Sequence, residues 1–121
     1  MIITIPFKTP TINHLYWHRG NMKIITKEAK ELREQIKKIV HSQPMSLKLT
    51  KLEVKIKIYE NWYTKKGEIK RKDVSNREKF LIDSVFDALG IDDKFIFKST
   101  MEKIQSEEEE SIIEIKNMEF K

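Results

Sequence analysis

The 121-residue chain has no cysteine, and only three glycines and three prolines. Without cysteine there is no disulfide, no thiolate metal site and no cysteine nucleophile. Histidine is almost as scarce. His14 and His18 flank Leu15–Trp17 in a loop-like stretch, where a histidine without a defined partner reads as incidental. His41 falls at a helix end and reads as a partner of the helix dipole. No apolar run approaches the roughly 20 residues that a membrane helix needs. The opening "MIITIPFK" is short and alternating, unlike a secretory leader, so the expected compartment is the cytoplasm.

What the chain does have is charge. Charged residues make up 36% against 39% hydrophobic, with a formal net charge of +5. That is apolar material for one core under a highly charged surface, and 121 residues fit one domain, 1–121. A basic balance favours polyanionic partners, nucleic acid foremost.

The hydrophobic pattern orders the elements. Residues 2–6, "IITIP", read as a strand, and Pro6 and Pro10 then impose an irregular path through "PFKTPTINHLYWHRGN". "MKIITK" reads as a short extra strand, with Thr26 as a helix N-cap. Ala29, Leu32, Ile36, Ile39 and Val40 recur at helical spacing over 27–41. Residues 51–59, "KLEVKIKIY", alternate strictly and predict a strand with one wet face. A polar segment leads to a second helix over 75–89, ended by Gly90. "FIFKSTMEKI" and "IIEIKNM" read as two last strands joined by "QSEEEES", which suggests a hairpin whose glutamates 107–110 are solvated rather than a metal site. The expected fold is a single α/β (α+β) domain, a mixed sheet with helices packed against it, in the order β-α-β-α-β-β.

The chemistry concentrates around the second helix. Leu81, Ile82, Val85, Ala88 and Leu89, with Val74, share an apolar arc, while Asn76, Asp83 and Asp87 line another side with Lys79 beside them. By itself that stripe is compatible with an exposed face carrying a Lys79–Asp83 pair. Asp73 precedes the helix, and Asp92 and Asp93 follow it. The helix alone sets its two ends about 20 Å or more apart, so these acids share a metal only if the chain after Gly90 folds back or two subunits combine. Ahead of Asp73, Lys65, Lys66, Lys70, Arg71 and Lys72 stand against one acid, Glu68, behind Trp62 and Tyr63. Basic residues interleaved with aromatics and leading to an aspartate suit phosphate binding beside a catalytic metal. Mg²⁺ favours such carboxylate oxygens.

"RKDVSNREKFLIDSVFDALGIDDKFI" resembles the core motif of the RusA family of Holliday-junction resolvases. That motif is Asp-x-Asp-Asn-x-x-Lys, an Asp four residues later, then an Asp-Asp pair before a strand. Asp73, Asn76, Lys79, Asp83 and Asp92–Asp93 match in order and nearly in spacing. "IPFKTPTINHLYWHRG" is similar to the family's opening, with Asn13 and Tyr16 on its positions, and Lys103 falls where the family has a lysine on the penultimate strand. The resemblance implies a homodimeric, Mg²⁺-dependent endodeoxyribonuclease, with Mn²⁺ able to substitute, that makes paired symmetric nicks in four-way DNA junctions during recombination and repair. It implies Asp73 and Asp93 as metal ligands, with Asp92 a further candidate, and Lys79 as the residue that meets the scissile phosphate. Lys65, Lys66, Lys70, Arg71, Lys72, Asn13, Tyr16, Arg19 and Lys103 are the implied or candidate DNA contacts.

The sequence departs from the motif at Ser75, where the family has its second Asp. "SNRE" is also a capping box, with Ser75 as N-cap and Glu78 at N3. A hydroxyl ligates Mg²⁺ weakly and without charge, so Ser75 is a doubtful ligand and metal affinity or preference is expected to change. Glu78 or Asp92 is the candidate to compensate. A non-catalytic or weakly active branched-DNA-binding protein on the same scaffold is therefore the alternative. A third reading, a restriction-type nuclease, rests on Glu-x-Lys at 53–55 and 114–116, a pattern that the wet face of an alternating strand also produces by chance.

Overall fold

The computed structural model describes residues 1–10, 16–19, 22–71 and 75–118, with the side chains of 16–19, 22–24 and 75–76 left aside. Asn13, Lys72 and Asp73, and the side chains of Tyr16, Arg19 and Ser75, therefore lie outside the described residues.

Alternation sets the sheet. Strands β1 (Ile2–Ile5), β4 (Leu52–Glu60) and β6 (Glu110–Asn117) each turn every second side chain to one buried face. Ile3, Ile5, Val54, Ile56, Ile58, Ile113 and Ile115 are all at most 2% exposed. Burying each such side chain contributes about 1.5–3 kcal/mol. The four-stranded sheet has the order β1-β6-β4-β5, with β5 spanning Ile96–Gln105. Helices α1 (Lys27–His41) and α2 (Ser75–Leu89) supply Ala29, Ile36, Val40, Phe80, Leu81, Val85 and Phe86 to the same core. The fold is thus an α+β arrangement of one mixed sheet and two helices, as the pattern predicts.

Both helix boundaries agree with the sequence reading. Thr26 caps α1 by accepting from the Ala29 amide at 3.2 Å. Gly90, at φ +71°, ends α2 in the left-handed region that a glycine enters without strain. His41 at the end of α1 donates from Nε2 to the Ala88 carbonyl at 2.7 Å, which joins the C-terminal ends of the two helices.

Two features differ from the sequence reading. The stretch expected to be irregular contains β2 (Tyr16–Arg19), which pairs antiparallel with β3 (Met22–Ile25) as a two-stranded sheet. The final two strands are not a hairpin. β5 runs parallel to β4, and β6 runs antiparallel to β4 on its other side, so β4 lies between them. The short 106–109 connection crosses the end of β4, where the Ser106 amide donates to the Glu60 carbonyl at 3.0 Å. Residues 61–95, which carry α2, are then the crossover that a parallel pair requires.

Candidate active site

The C-terminal half of α2 and the chain just beyond it build an acid-lined cavity of about 320 Å³. Asp83 and Asp87, one turn apart, line it together with Asp92, Asp93 and Arg33 of α1, over apolar walls from Ile82, Phe86 and Ile91. The chain turns sharply at the C-terminal end of the helix. After Gly90 the Ile91 amide donates to the Phe86 carbonyl at 3.2 Å, and a 3-10 turn over Asp93–Phe95 follows. Asp92 and Asp93 therefore line the same cavity as Asp83 and Asp87, at the end of α2 away from Asp73, which lies outside the described residues.

The four carboxylates are differently engaged. Asp92 accepts from the Lys94 amide at 2.9 Å through Oδ1, capping the 3-10 turn. Asp83 holds Lys79 through Oδ2 at 3.0 Å, the i, i+4 pair expected from spacing. Asp87 and Asp93 are exposed. Among the described residues no three acids or histidines converge closely enough to hold a metal ion. The oxygen donors nonetheless suit a hard cation such as Mg²⁺, which keeps several waters and takes only one or two carboxylates. Asp73, Asn76 and Ser75 belong to the same motif, but their side chains lie outside the described residues, and so does the capping role of Ser75.

The basic segment forms a compact turn. Trp62 and Lys70 are tied by the Lys70 amide donating to the Trp62 carbonyl at 2.8 Å, and Tyr63 bridges Ile69. Gly67, at φ +81°, makes the tip, and Lys65 and Lys66 stand exposed next to it. Arg71 is exposed, while Lys70 is half-buried and lines a smaller cavity with Lys8, Glu107 and Glu109. Beneath the turn Trp62 is 4% exposed, and its indole N–H is 3.2 Å from both the Ile58 and Ile104 carbonyls. Lys103 of β5 lies over the Trp62 ring at 4.9 Å, which places this predicted DNA contact beside the basic turn.

Sequence reading missed the pair beneath the N-terminal turn of α2. Arg77 is 1% exposed and forks onto Glu60, at 2.9 Å to Oε1 and 3.2 Å to Oε2. The same guanidinium donates to the Thr9 carbonyl at 2.7 Å. It thereby ties the first turn of α2 to the end of β4 and to the N-terminal segment. The signal was available. Arg77 lies four residues before Leu81 and eight before Val85, on the apolar arc, and Glu60 has the inward parity of Val54, Ile56 and Ile58.

The Glu-x-Lys reading loses support. Glu53 is 8% exposed and sits between Lys98 and Lys116, each at 3.5 Å. Burial pushes its carboxyl up, but Lys98, Lys116 and Lys55 outweigh burial and hold it below the usual carboxylate value. Glu53 is thus the centre of a cross-strand charge ladder.

Fold and cavity together describe a small α+β domain with four carboxylates around one cavity. The family model described as Endodeoxyribonuclease RusA matches residues 6–116, and the chain belongs to the RusA endodeoxyribonuclease family. No curated protein matches it. The matched span takes in both the "TINHLY" opening and the Asp73–Asp93 region. Membership implies an endonuclease that resolves Holliday junctions.

Proposed function

We propose that this protein is a metal-dependent junction resolvase that nicks two opposed strands of a four-way DNA junction as a homodimer, acting inside the cell in recombination and repair. The observation that carries the reading is the cavity where Asp83, Asp87, Asp92 and Asp93 gather beside Lys79, in a chain of the RusA family. In this reading Asp73 and Asp93 hold Mg²⁺ or Mn²⁺, with the free oxygen of Asp92 and the Ser75 hydroxyl as weaker donors. Bound there, the ion supplies charge neutralisation at the phosphate and a more acidic water.

The chain's own residues do the rest. Lys79, 3.0 Å from Asp83 and on the exposed side of α2, has an ammonium group that can exchange its carboxylate for a scissile phosphate oxygen. Lys65, Lys66, Lys70, Arg71 and Lys72 neutralise the approaching backbone, with Lys103 alongside. Asn13, Tyr16 and Arg19 extend the contact on the N-terminal side. Two-fold symmetry suits a junction cut on opposed strands, because one subunit then serves each strand.

A weakly active junction binder remains the second reading, favoured by one observation, the serine at position 75 where the motif has an acid. A cleavage assay on a synthetic four-way junction with Mg²⁺ and with Mn²⁺ decides between them. Asp73→Asn is expected to abolish cutting while leaving junction affinity within a few-fold. Ser75→Asp is expected to raise cutting or lower the metal concentration required. Wild-type protein that binds the junction but never cuts it, together with a cutting Ser75→Asp variant, would establish the binder instead.

A further inference from the structure

The basic turn carries an apolar feature that phosphate binding leaves unused. Tyr63 is 43% exposed, and Ile69, at 69%, is the most exposed large hydrophobic side chain among the described residues. The two are cross-strand partners in an antiparallel bridge. On either side of them the Thr64 amide donates to the Glu68 carbonyl at 2.7 Å and the Lys70 amide to the Trp62 carbonyl at 2.8 Å. That bonding makes Tyr63 and Ile69 a non-hydrogen-bonded pair, the kind in which the strands approach most closely and the two side chains share one face. The face is the outward one, because the neighbours Trp62 and Lys70 are buried and half-buried.

The turn that presents this pair is firmly held. At its base the Trp62 amide donates to the Gln105 side chain at 2.8 Å. The Asn61 side-chain oxygen accepts from the Gln105 amide group at 3.0 Å and from the Tyr63 amide at 3.1 Å. At its tip the Gly67 amide donates to the Thr64 carbonyl at 2.9 Å, and Thr64 Oγ1 accepts from the Glu68 amide at 3.1 Å. A partner that docks here therefore meets a preformed surface and orders little of the chain. Lys65, Lys66 and Arg71 are exposed along the same turn, against Glu68 as its one acid. An apolar pair framed by cations fits a partner that sets an apolar face among negative charges.

Nucleic-acid bases are such faces, but a duplex covers each of them with the next base. In the open form of a four-way junction the base pairs at the centre each lose one stacking neighbour, and their bare faces lie beside the phosphates of the exchanging strands. Resting on the resolvase reading above, we propose that the Tyr63–Ile69 face packs on a base pair exposed at the branch point, while Lys65, Lys66 and Arg71 meet the neighbouring phosphates. Base–aromatic stacking accepts any base. The contact therefore reads branching instead of sequence, and it separates junctions from linear DNA. Tyr63 and Ile69 set substrate specificity and perform no chemistry.

The test uses the full chain with Ca²⁺ in place of a catalytic metal. Affinity is measured across a range of NaCl for a four-way junction and for a linear duplex of the same sequence. Tyr63→Val keeps an apolar, strand-favouring residue in the turn but removes the ring. It is expected to weaken junction binding roughly tenfold, to leave duplex binding within about twofold, and to preserve the slope of log K against log salt. Tyr63→Trp is expected to restore junction affinity. Ile69→Thr is expected to weaken junction binding several-fold in the same pattern. Lys66→Gln, by contrast, is expected to weaken binding to both DNAs and to reduce the slope by about 0.9. Wild-type junction affinity in both Tyr63→Val and Ile69→Thr would overturn the base contact and leave the resolvase reading intact. Equal losses on junction and duplex would place the pair in a duplex groove and overturn it as well. A loss that comes with a shallower salt slope would show that the pair only shapes the basic turn, which again overturns it. Wild-type protein that binds the junction no better than the duplex would overturn both the contact and the resolvase reading.

Discussion

Arg77 shows how much one buried side chain can decide. Its guanidinium bonds Glu60 and the Thr9 carbonyl while its Nε has no partner, so part of its hydrogen-bonding capacity is already forgone. Removing the cation leaves the Glu60 carboxylate buried without its main counter-charge. Arg77→Met is expected to cost about 3–5 kcal/mol, read as a lower urea midpoint at unchanged slope. Arg77→Lys keeps the charge but loses the two-toothed geometry, so it should recover only part of that loss. If both variants unfold like wild type, the pair contributes nothing to holding the first turn of α2.

The elements show a different balance. On the outer face of the sheet Glu53 pairs in register with Lys98 on β5 and Lys116 on β6, a three-strand ladder. Its folded pKa lies below the ordinary 4.5, so its contribution is complete above that value and is lost as pH falls from about there through the folded pKa. Glu53→Gln is therefore expected to lower the melting temperature at pH 7 and to flatten its decline between pH 5 and 3. An acid limb identical to wild type would show that the ladder adds nothing. β5 itself is an edge strand of ten residues, largely exposed, with Phe97 at 62%. Lys98, Glu102 and Lys103 place charge along that edge, which discourages pairing with stray strands.

At the scale of the molecule, the surface has to serve a polyanion. The net charge of +5 is not spread evenly along the chain: residues 61–72 hold five cations against Glu68, whereas glutamates 107–109 occupy the β5–β6 connection and Glu110 opens β6. Lys8 pairs with Glu109 at 3.7 Å, and Lys70 lines the same small cavity, so part of the acid run faces the basic side. Among the described residues no helix is long and apolar enough to cross a membrane. A resolvase that cuts opposed strands is expected to sediment at twice the 14.5 kDa of one chain, in the absence of DNA. Sedimentation velocity at micromolar concentration checks this, and a single 14.5 kDa species that still makes paired nicks would contradict the dimer.

The hydrophobic periods alone determined both helices, the Thr26 cap, the Gly90 stop and the buried face of β4, because each depends on residues within a turn or two of one another. The same local character explains the failures. A four-residue link between two strands looks like a hairpin in sequence, and only the parallel pairing of β4 with β5 shows that it crosses a third strand. The proline-rich opening concealed β2, whose partner is β3 rather than the main sheet. Motif order matched Asp83 and the Asp92–Asp93 pair to one family pattern, but spacing placed Asp73 and Asp93 at opposite ends of α2. Whether Asp92 and Asp93 joined Asp83 was decided by tertiary structure. Gly90 could enter the left-handed region, Ile91 could bury at 5% exposure against the core, and the chain therefore turned so that both acids line one cavity with Asp83 and Asp87. The Arg77–Glu60 pair belongs to tertiary structure for the same reason. It joins side chains from different elements, and burial, which gives that contact its strength, exists only once the elements pack.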